Sequence, residues 1–199
     1  MRRVLCTHCG YPQSVCVCSL LCTVNSTQKI IILQHPTEAH HAKSSVRLIR
    51  LCVPNCQIWV GEKALDFSQL THNLKEQKRE AYVIYPSQNS IPLESIDKGE
   101  RRKIDTLILL DATWRKAYRM WQLNPWLHDL SACHFAQPPQ GKYHIRNTTV
   151  GSGLSTLEAL AQTLYLTQGI DTGPLLETFL GMQARVFARH IAMQSSQDQ

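Results

Sequence analysis

The residues best suited to chemistry are the tetrapeptide Asp-Ala-Thr-Trp at positions 111–114. The apolar run at 106–110 stops here and a helical pattern begins, so the sequence predicts a carboxylate, Asp111, at the C-terminal end of a strand. Open α/β sheets bind their ligands at that edge. Arg115 and Lys116 follow at once, and a carboxylate beside cations suits chemistry on a polyanion. The alternative role for Asp111 is that of a helix N-cap.

A second chemical feature is a cysteine cluster near the N-terminus. Cys6, Cys9, Cys16 and Cys18 form a C-x2-C-x6-C-x-C array. Structural zinc is held by four such ligands in a tetrahedron, and close pairs of cysteines place two sulfurs on one ion. Four protein ligands leave no open position for substrate, so we expect a structural zinc; free thiols are the alternative. The remaining cysteines are predicted to be buried thiols: Cys22, Cys52, Cys56 and Cys133.

The composition allows a globular catalytic or binding protein. The chain has 199 residues, of which 43% are apolar, enough for a packed core. The net charge of +6 permits binding to RNA, DNA or acidic membranes without choosing among them. The sequence has no apolar run of about 18 residues and no export signal, so we expect a cytoplasmic protein with no membrane segment. In a reducing compartment, clustered cysteines favour metal over disulfides.

The elements that must position these residues alternate between strands and helices. Apolar runs predict strands at residues 30–33, 58–60, 81–85 and 107–110. A helical pattern follows Pro36 and continues to about Cys52. Residues 87–103 are predicted to be a polar connection whose closing charge run is solvated. Alternating strands and helices predict a parallel sheet.

Two more helices carry apolar stripes. The stripe of the helix after Asp111 is predicted to contain Trp114, Ala117, Tyr118 and Trp121. The stripe of the last clear helix is predicted to contain Leu157, Leu160, Ala161 and Leu164. Ser155 and Glu158 have capping-box spacing at its start. The Gly/Ser loop before it would present unpaired N–H groups to an anionic or polar ligand.

Three strand ends should meet at one edge of this sheet, at residues 33–38, 85–87 and 110–114. His35 and Glu38 in the first of them are candidates for that edge. Their alternative roles are a core histidine and a first-turn acid favoured by the helix dipole.

Together these motifs resemble the DTW-domain family over nearly the whole chain. The motifs are the cysteine array, Gln34-His35-Pro36-Thr37-Glu38, Tyr85-Pro86-Ser87, Leu110-Asp111-Ala112-Thr113-Trp114, Tyr143-His144-Ile145-Arg146 and Leu154-Ser155-Thr156-Leu157-Glu158. The resemblance implies a tRNA-uridine aminocarboxypropyltransferase, which moves the 3-amino-3-carboxypropyl group of S-adenosylmethionine to N3 of a uridine and releases methylthioadenosine. It also implies an α/β, SPOUT-like, mostly parallel sheet with flanking helices and a C-terminal knot. The chain would then comprise a zinc-binding module at 1–24 and a catalytic domain at 25–199.

The resemblance also implies roles for individual residues. Asp111 would accept the N3 proton or orient the base; a carboxylate with an ordinary pKa near 3.9 is a weak base. S-adenosylmethionine would be bound by Tyr85, Pro86, Leu110, Thr113, Trp114, Leu154, Ser155 and Thr156. Phosphates of tRNA would be bound by Lys43, Arg47, Arg50, Arg115, Lys116, Lys142 and Arg146.

Two other functions remain open from the sequence. A methyltransferase would use a similar fold and donor but yield S-adenosylhomocysteine. A non-catalytic zinc-containing RNA-binding protein would need the cations but neither the Asp-x-Thr-Trp segment nor the Ser-Thr-x-Glu segment.

Overall fold

The computed structural model of the chain describes residues 4–41, 44–77, 80–141 and 153–188. Within them, six parallel strands form one sheet in the order β2-β1-β5-β3-β6-β4. The strands are β1 (Lys29–Gln34), β2 (Cys56–Val60), β3 (Ala81–Ile84), β4 (Ile91–Pro92), β5 (Thr106–Asp111) and β6 (Ser131–His134). The prediction of an α/β protein with a parallel sheet is confirmed.

Helices flank the sheet. They are α1 (Pro36–Ala39), α2 (Val46–Cys52), α3 (Ser68–Gln77), α4 (Lys98–Lys103), α5 (Trp114–Leu123), α6 (Thr156–Gln168) and α7 (Gly173–Val186). Short 3-10 turns lie at Gln13–Val15, Cys18–Leu20, Ala64–Phe67, Leu93–Ser95 and Pro125–Leu127. No helix in the described ranges is long and apolar enough to cross a membrane.

The central strands are buried on both faces, which explains their unbroken apolar runs. Ile30 and Ile32 of β1 pack in one cluster with α2, α6 and α7. Ile31 and Leu33 face the other way and pack with α3 and α5. Because successive side chains of a strand alternate between faces, Gln34 and Asp111 project from their strand ends on the side of α6.

The N-terminal segment packs on the same cluster as α6 and α7. Tyr11 and Val17 are buried there. The Thr178 hydroxyl donates to the Leu20 carbonyl at 2.6 Å, and Arg185 donates to the Cys16 carbonyl at 2.6 Å. The predicted division into residues 1–24 and 25–199 stays a prediction. The predicted C-terminal knot also stays a prediction, and residues 142–152 and 189–199 lie outside the described residues.

The structure corrects several predicted elements. The helix expected from Pro36 to Cys52 is two helices, α1 and α2, with a break between them. The connection expected at 87–103 contains β4 and α4, and the Arg101 side chain in its charge run is only 7% exposed. It is buried because α4 packs against α6. The sequence patterns did not reveal α3, β6 or α7.

The apolar face of α5 also differs from the predicted stripe. Ala117, Met120 and Trp121 are buried, whereas Trp114 is 46% exposed and Tyr118 is 60% exposed. A helix has 3.6 residues per turn, so a buried stripe centred on positions 117, 120 and 121 leaves 114 and 118 at its border. Two aromatic rings thus lie at the surface just after Asp111.

Candidate functional site

The site begins with the connections of β1 and β5, which are neighbours in the sheet. The chain leaving β1 passes through α1 and α2 to β2 on one side, whereas the chain leaving β5 passes through α5 to β6 on the other. Adjacent parallel strands whose connections diverge leave a crevice at their C-terminal ends, where α/β proteins bind ligands. Gln34 and Asp111, the last residues of β1 and β5, pair in register at this point.

Two hydrogen bonds orient the Asp111 carboxylate in this crevice. Its Oδ1 accepts from the Thr156 hydroxyl at 2.6 Å, and its Oδ2 accepts from the Gln34 amide at 2.8 Å. The residue is only 4% exposed. Thr156 is the first residue of α6, whose positive dipole end also favours the ionised carboxylate. The Gln34 amide donates to the Ser44 hydroxyl at 3.2 Å as well.

The alternative that Asp111 is the N-cap of α5 is wrong, because Thr113 occupies that position and makes no side-chain cap. The role of Gln34 was missed: the sequence motif contained it, but no function was given to it. The available signal was a polar residue closing an apolar strand at the same edge as Asp111.

The predicted capping box at the start of α6 is confirmed. The Ser155 hydroxyl accepts from the Glu158 amide at 3.3 Å and donates to Glu158 Oε2 at 2.7 Å, while the Ser155 amide donates to the same oxygen at 2.8 Å. Both side chains are buried. The Ser155 hydroxyl is therefore engaged in the cap, and the hydroxyl of Thr156 is engaged with Asp111. A Cβ at Gly141 would lie 3.4 Å from the carbonyl oxygen of Gly153, so the chain after β6 passes close to this segment.

His35 caps α1 and joins it to a loop after β2. Its Nδ1 accepts from the Thr37 amide at 3.2 Å, so Nε2 carries the proton and faces the Glu62 carboxylate at 3.4 Å. Arg119 of α5 bonds the same Glu62 oxygen at 3.0 Å. These contacts agree with the alternative role of His35 as a core histidine. Glu62, which the sequence analysis did not single out, connects the ends of β1 and β2 with α5.

A second contact between α1 and α5 is made by Lys116. Its ammonium donates to the Thr37 hydroxyl at 2.5 Å and lies 3.4 Å from the Glu38 carboxylate. Glu38 stands in the first turn of α1, as its structural alternative predicted. Lys116 and Arg119 therefore hold α5 against the end of β1, beside Asp111.

The other predicted donor-binding residues lie near the ends of β3, β5 and the start of α6. Tyr85 is buried and stacks on Trp121 with centroids 5.0 Å apart; burial raises the pKa of its hydroxyl. Leu110 and Leu154 are half-buried, and Pro86 and Thr113 are exposed. Since β3 neighbours β5, the ends of both strands border the crevice.

The predicted phosphate-binding cations fall into different environments. Arg47 lies over the Tyr11 ring, 4.7 Å from its centroid, and so contributes to packing. Arg50 and Arg115 are exposed, and neither makes an ion pair within the part of the chain that the structure describes. Lys116 pairs with Glu38 as described above. Three of the seven predicted cations lie outside the described residues: Lys43, Lys142 and Arg146.

The cysteine array converges as predicted. The four sulfurs lie within 4.8 Å of one another, with 3.6 Å between Cys6 and Cys18 and 3.7 Å between Cys9 and Cys16. A tetrahedron with zinc–sulfur bonds of about 2.3 Å has edges of about 3.8 Å, so the spacing fits one zinc ion. The cluster could hold a metal ion.

Two thiols of the array, those of Cys6 and Cys18, have pKa values shifted in opposite directions. Backbone N–H groups of Cys9 and His8 lower the pKa of Cys6 to about 6. The neighbouring Cys16 thiol and burial raise the pKa of Cys18 to about 12. The first thiolate is stabilised by surrounding donors, whereas a further thiolate meets negative charge. A bound divalent cation offsets that repulsion.

The four remaining cysteines were all expected to be buried, which is correct for two. Cys52 and Cys133 are buried, whereas Cys22 and Cys56 are half-buried. Burial raises the pKa of Cys52 and Cys133 to about 11 and that of Cys56 to about 12. A raised pKa keeps the thiols of Cys52, Cys56 and Cys133 protonated and unreactive at neutral pH.

Comparisons with known proteins agree with the motifs. The chain is similar to tRNA-uridine aminocarboxypropyltransferase 2 of Drosophila melanogaster, at 30% identity over 171 residues that cover 82% of this chain and 66% of that protein. It is 26% identical over 167 residues to the protein of the same name from Macaca fascicularis, covering 82% and 56% of the two chains. The chain thus spans between about half and two thirds of the length of these relatives.

No solved structure gives a significant match. The model of the DTW domain matches residues 3–187, which include the cysteine array, the Asp-x-Thr-Trp segment and α6. The chain belongs to the DTW-domain family.

Proposed function

We propose that this protein transfers the 3-amino-3-carboxypropyl group of S-adenosylmethionine to N3 of a uridine in tRNA. Family membership and the names of the similar proteins support a transfer of this group to tRNA uridine. The observation that carries the proposal is the Asp111 carboxylate, held by Thr156 and Gln34 in the crevice between β1 and β5.

The reaction requires a proton acceptor and a controlled direction of attack. The N3–H bond of uridine breaks and its proton passes to Asp111, while N3 forms a bond to the arm carbon next to sulfur. The carbon–sulfur bond breaks, its electron pair stays on sulfur, and methylthioadenosine leaves as a neutral thioether. Because the donor also carries a methyl group on the same sulfur, positioning decides the product. The two hydrogen bonds to Asp111 supply that positioning on the side of the base.

The donor would occupy the crevice between β1 and β5, next to the end of β3. The exposed part of the Trp114 ring would lie near the positively charged sulfonium, which an aromatic face favours. Leu110 and Leu154 would supply apolar walls, with Tyr85, Pro86 and Thr113 at the border. Since the side chains of Ser155 and Thr156 are engaged within the protein, both would contact the donor through main-chain atoms. The SPOUT-like knot near the C-terminus, which the family resemblance implies as part of the cofactor-binding region, belongs to this proposal.

A zinc ion held by Cys6, Cys9, Cys16 and Cys18 would serve a structural role. The sulfur spacing fits a tetrahedral ion, and the contacts of Leu20 and Cys16 with α7 would tie the zinc-binding module at 1–24 to the domain at 25–199. The ion would fold this segment and take no part in the transfer. Exposed Arg50 and Arg115 would attract tRNA phosphates, and a tRNA substrate agrees with a cytoplasmic location.

The test is product analysis with Asp111→Asn and a matched control. Purified protein is incubated with tRNA and S-adenosylmethionine, and both coproduct and modified nucleoside are identified by mass spectrometry. The parent should yield methylthioadenosine, and Asp111→Asn should lose more than tenfold in rate, about 1.4 kcal/mol of barrier. The control is Asp105→Asn, which replaces an exposed aspartate just before β5 and should retain the parent rate. Production of S-adenosylhomocysteine would instead identify a methyltransferase, and an active Asp111→Asn would contradict the role of the carboxylate.

A further inference from the structure

The exposed side of α5 carries two aromatic rings that the core does not use. Trp114 is 46% exposed and Tyr118, one turn later, is 60% exposed. Among the described residues, the only other exposed large aromatic is Tyr165 of α6, at 58%. The helix itself is firmly held, because Ala117, Met120 and Trp121 are buried in the stripe that borders these two rings.

The charge around these rings is positive. The helix contains Arg115, Lys116 and Arg119 and no acidic residue. Lys116 and Arg119 pair with carboxylates of neighbouring segments. Arg115 makes no ion pair with any described residue, and it lies three positions before Tyr118, on the same side of the helix. An exposed aromatic ring therefore has beside it a guanidinium that forms no ion pair within the described part of the chain.

This combination suits unpaired RNA. Proteins bind single-stranded nucleic acid by stacking bases on exposed aromatic rings while nearby cations contact the backbone. Tyr118 lies four residues beyond Trp114, about 6 Å along the helix axis, and Trp114 itself follows Asp111 by three residues. When the base of one nucleotide enters the crevice, the base of the neighbouring nucleotide is therefore within reach of the Tyr118 ring.

We propose that Tyr118 is a stacking site for an unpaired RNA base that flanks the target uridine, and that Arg115 binds an adjacent phosphate. The inference rests on the proposed function and adds a site for a second nucleotide. It implies that the protein selects a uridine within a loop, where two neighbouring bases can leave the stack together, over a uridine within a paired stem.

The test compares four variants of the full chain in binding to a tRNA transcript across a salt titration. Tyr118→Ala should weaken binding about 5- to 150-fold, the usual range for loss of one stacked base. Tyr118→Phe should retain most of the affinity because the ring remains. Tyr165→Ala is the matched control, an equally exposed tyrosine on another helix, and it should bind as the parent does.

The salt dependence separates stacking from phosphate binding. Tyr118→Ala removes no charge, so the slope of log affinity against log salt should stay unchanged. Arg115→Gln removes one charge and should reduce the magnitude of that slope by slightly less than one unit. Binding of S-adenosylmethionine by Tyr118→Ala should equal that of the parent.

Three results would overturn the inference: parental tRNA affinity in Tyr118→Ala, an equal loss in Tyr165→Ala, or loss of donor binding in place of RNA binding. If Tyr118→Ala binds normally while the parent still modifies tRNA, the stacking site is wrong and the proposed function stands. If the parent neither binds nor modifies tRNA, both fall together.

Discussion

Replacing Thr156 by valine tests whether the orientation of the Asp111 carboxylate matters for stability and for the rate of transfer. Valine keeps the shape of threonine but removes the hydroxyl that donates to Asp111 Oδ1 at 2.6 Å. Hydrogen bonds to charged groups contribute about 1.5–3 kcal/mol, and this one is buried. We therefore expect the free energy of unfolding to fall by about 1.5–3 kcal/mol, because Asp111 keeps its charge and loses a donor.

A matched control lies two turns further along the same helix. Thr163 is also buried, but its hydroxyl donates to the Ala159 carbonyl at 2.7 Å, a neutral acceptor within α6. Thr163→Val should therefore cost less, about 0.5–1.5 kcal/mol. The comparison separates loss of a buried hydroxyl from loss of the bond to the carboxylate.

Urea denaturation followed by circular dichroism gives both free energies, and product formation gives the rate. Thr156→Val should also slow the transfer, whereas Thr163→Val should leave its rate unchanged. If Thr156→Val costs no more free energy than Thr163→Val, the hydrogen bond to Asp111 does not contribute as argued. If its rate also equals the parent rate, the orientation of Asp111 by Thr156 has no role in the chemistry.

Two further predictions concern the cysteines. Elemental analysis should find about one zinc per chain. Cys9→Ser should lose the metal and have a lower melting temperature, whereas the control Cys56→Ser should keep the metal. A parent protein that is fully stable without metal would contradict the site. Burial raises the pKa of Cys133 from 9.0 to about 11, so between these values the unfolded chain releases a proton that the folded chain keeps. The free energy of unfolding should thus fall as pH rises from about 9 to 11, less steeply in Cys133→Ala, and an equal slope in both proteins would refute this cause.

Local patterns in the sequence were sufficient for features whose causes are local. The apolar run at 106–110, closed by Asp111, predicted β5 because a strand buried on both faces shows no alternation. The pair Ser155 and Glu158 predicted the start of α6, since a capping box involves four consecutive residues. The cysteine spacing predicted the convergence of the four sulfurs for the same reason: closely spaced side chains on a short segment can meet without help from the rest of the fold.

Contacts between distant segments decided the remainder. No periodicity shows that β1 lies beside β5, so the sequence could not show that Gln34 donates to Asp111. Likewise, four of the α5 residues fit an apolar stripe, yet tertiary packing buries Trp121 and leaves Tyr118 exposed. The charges of α5 look equivalent in the sequence, but Lys116 finds a carboxylate on α1. Chemistry-bearing residue types are thus visible in the sequence, while their partners depend on strand order and helix docking, which nearest-neighbour patterns do not encode.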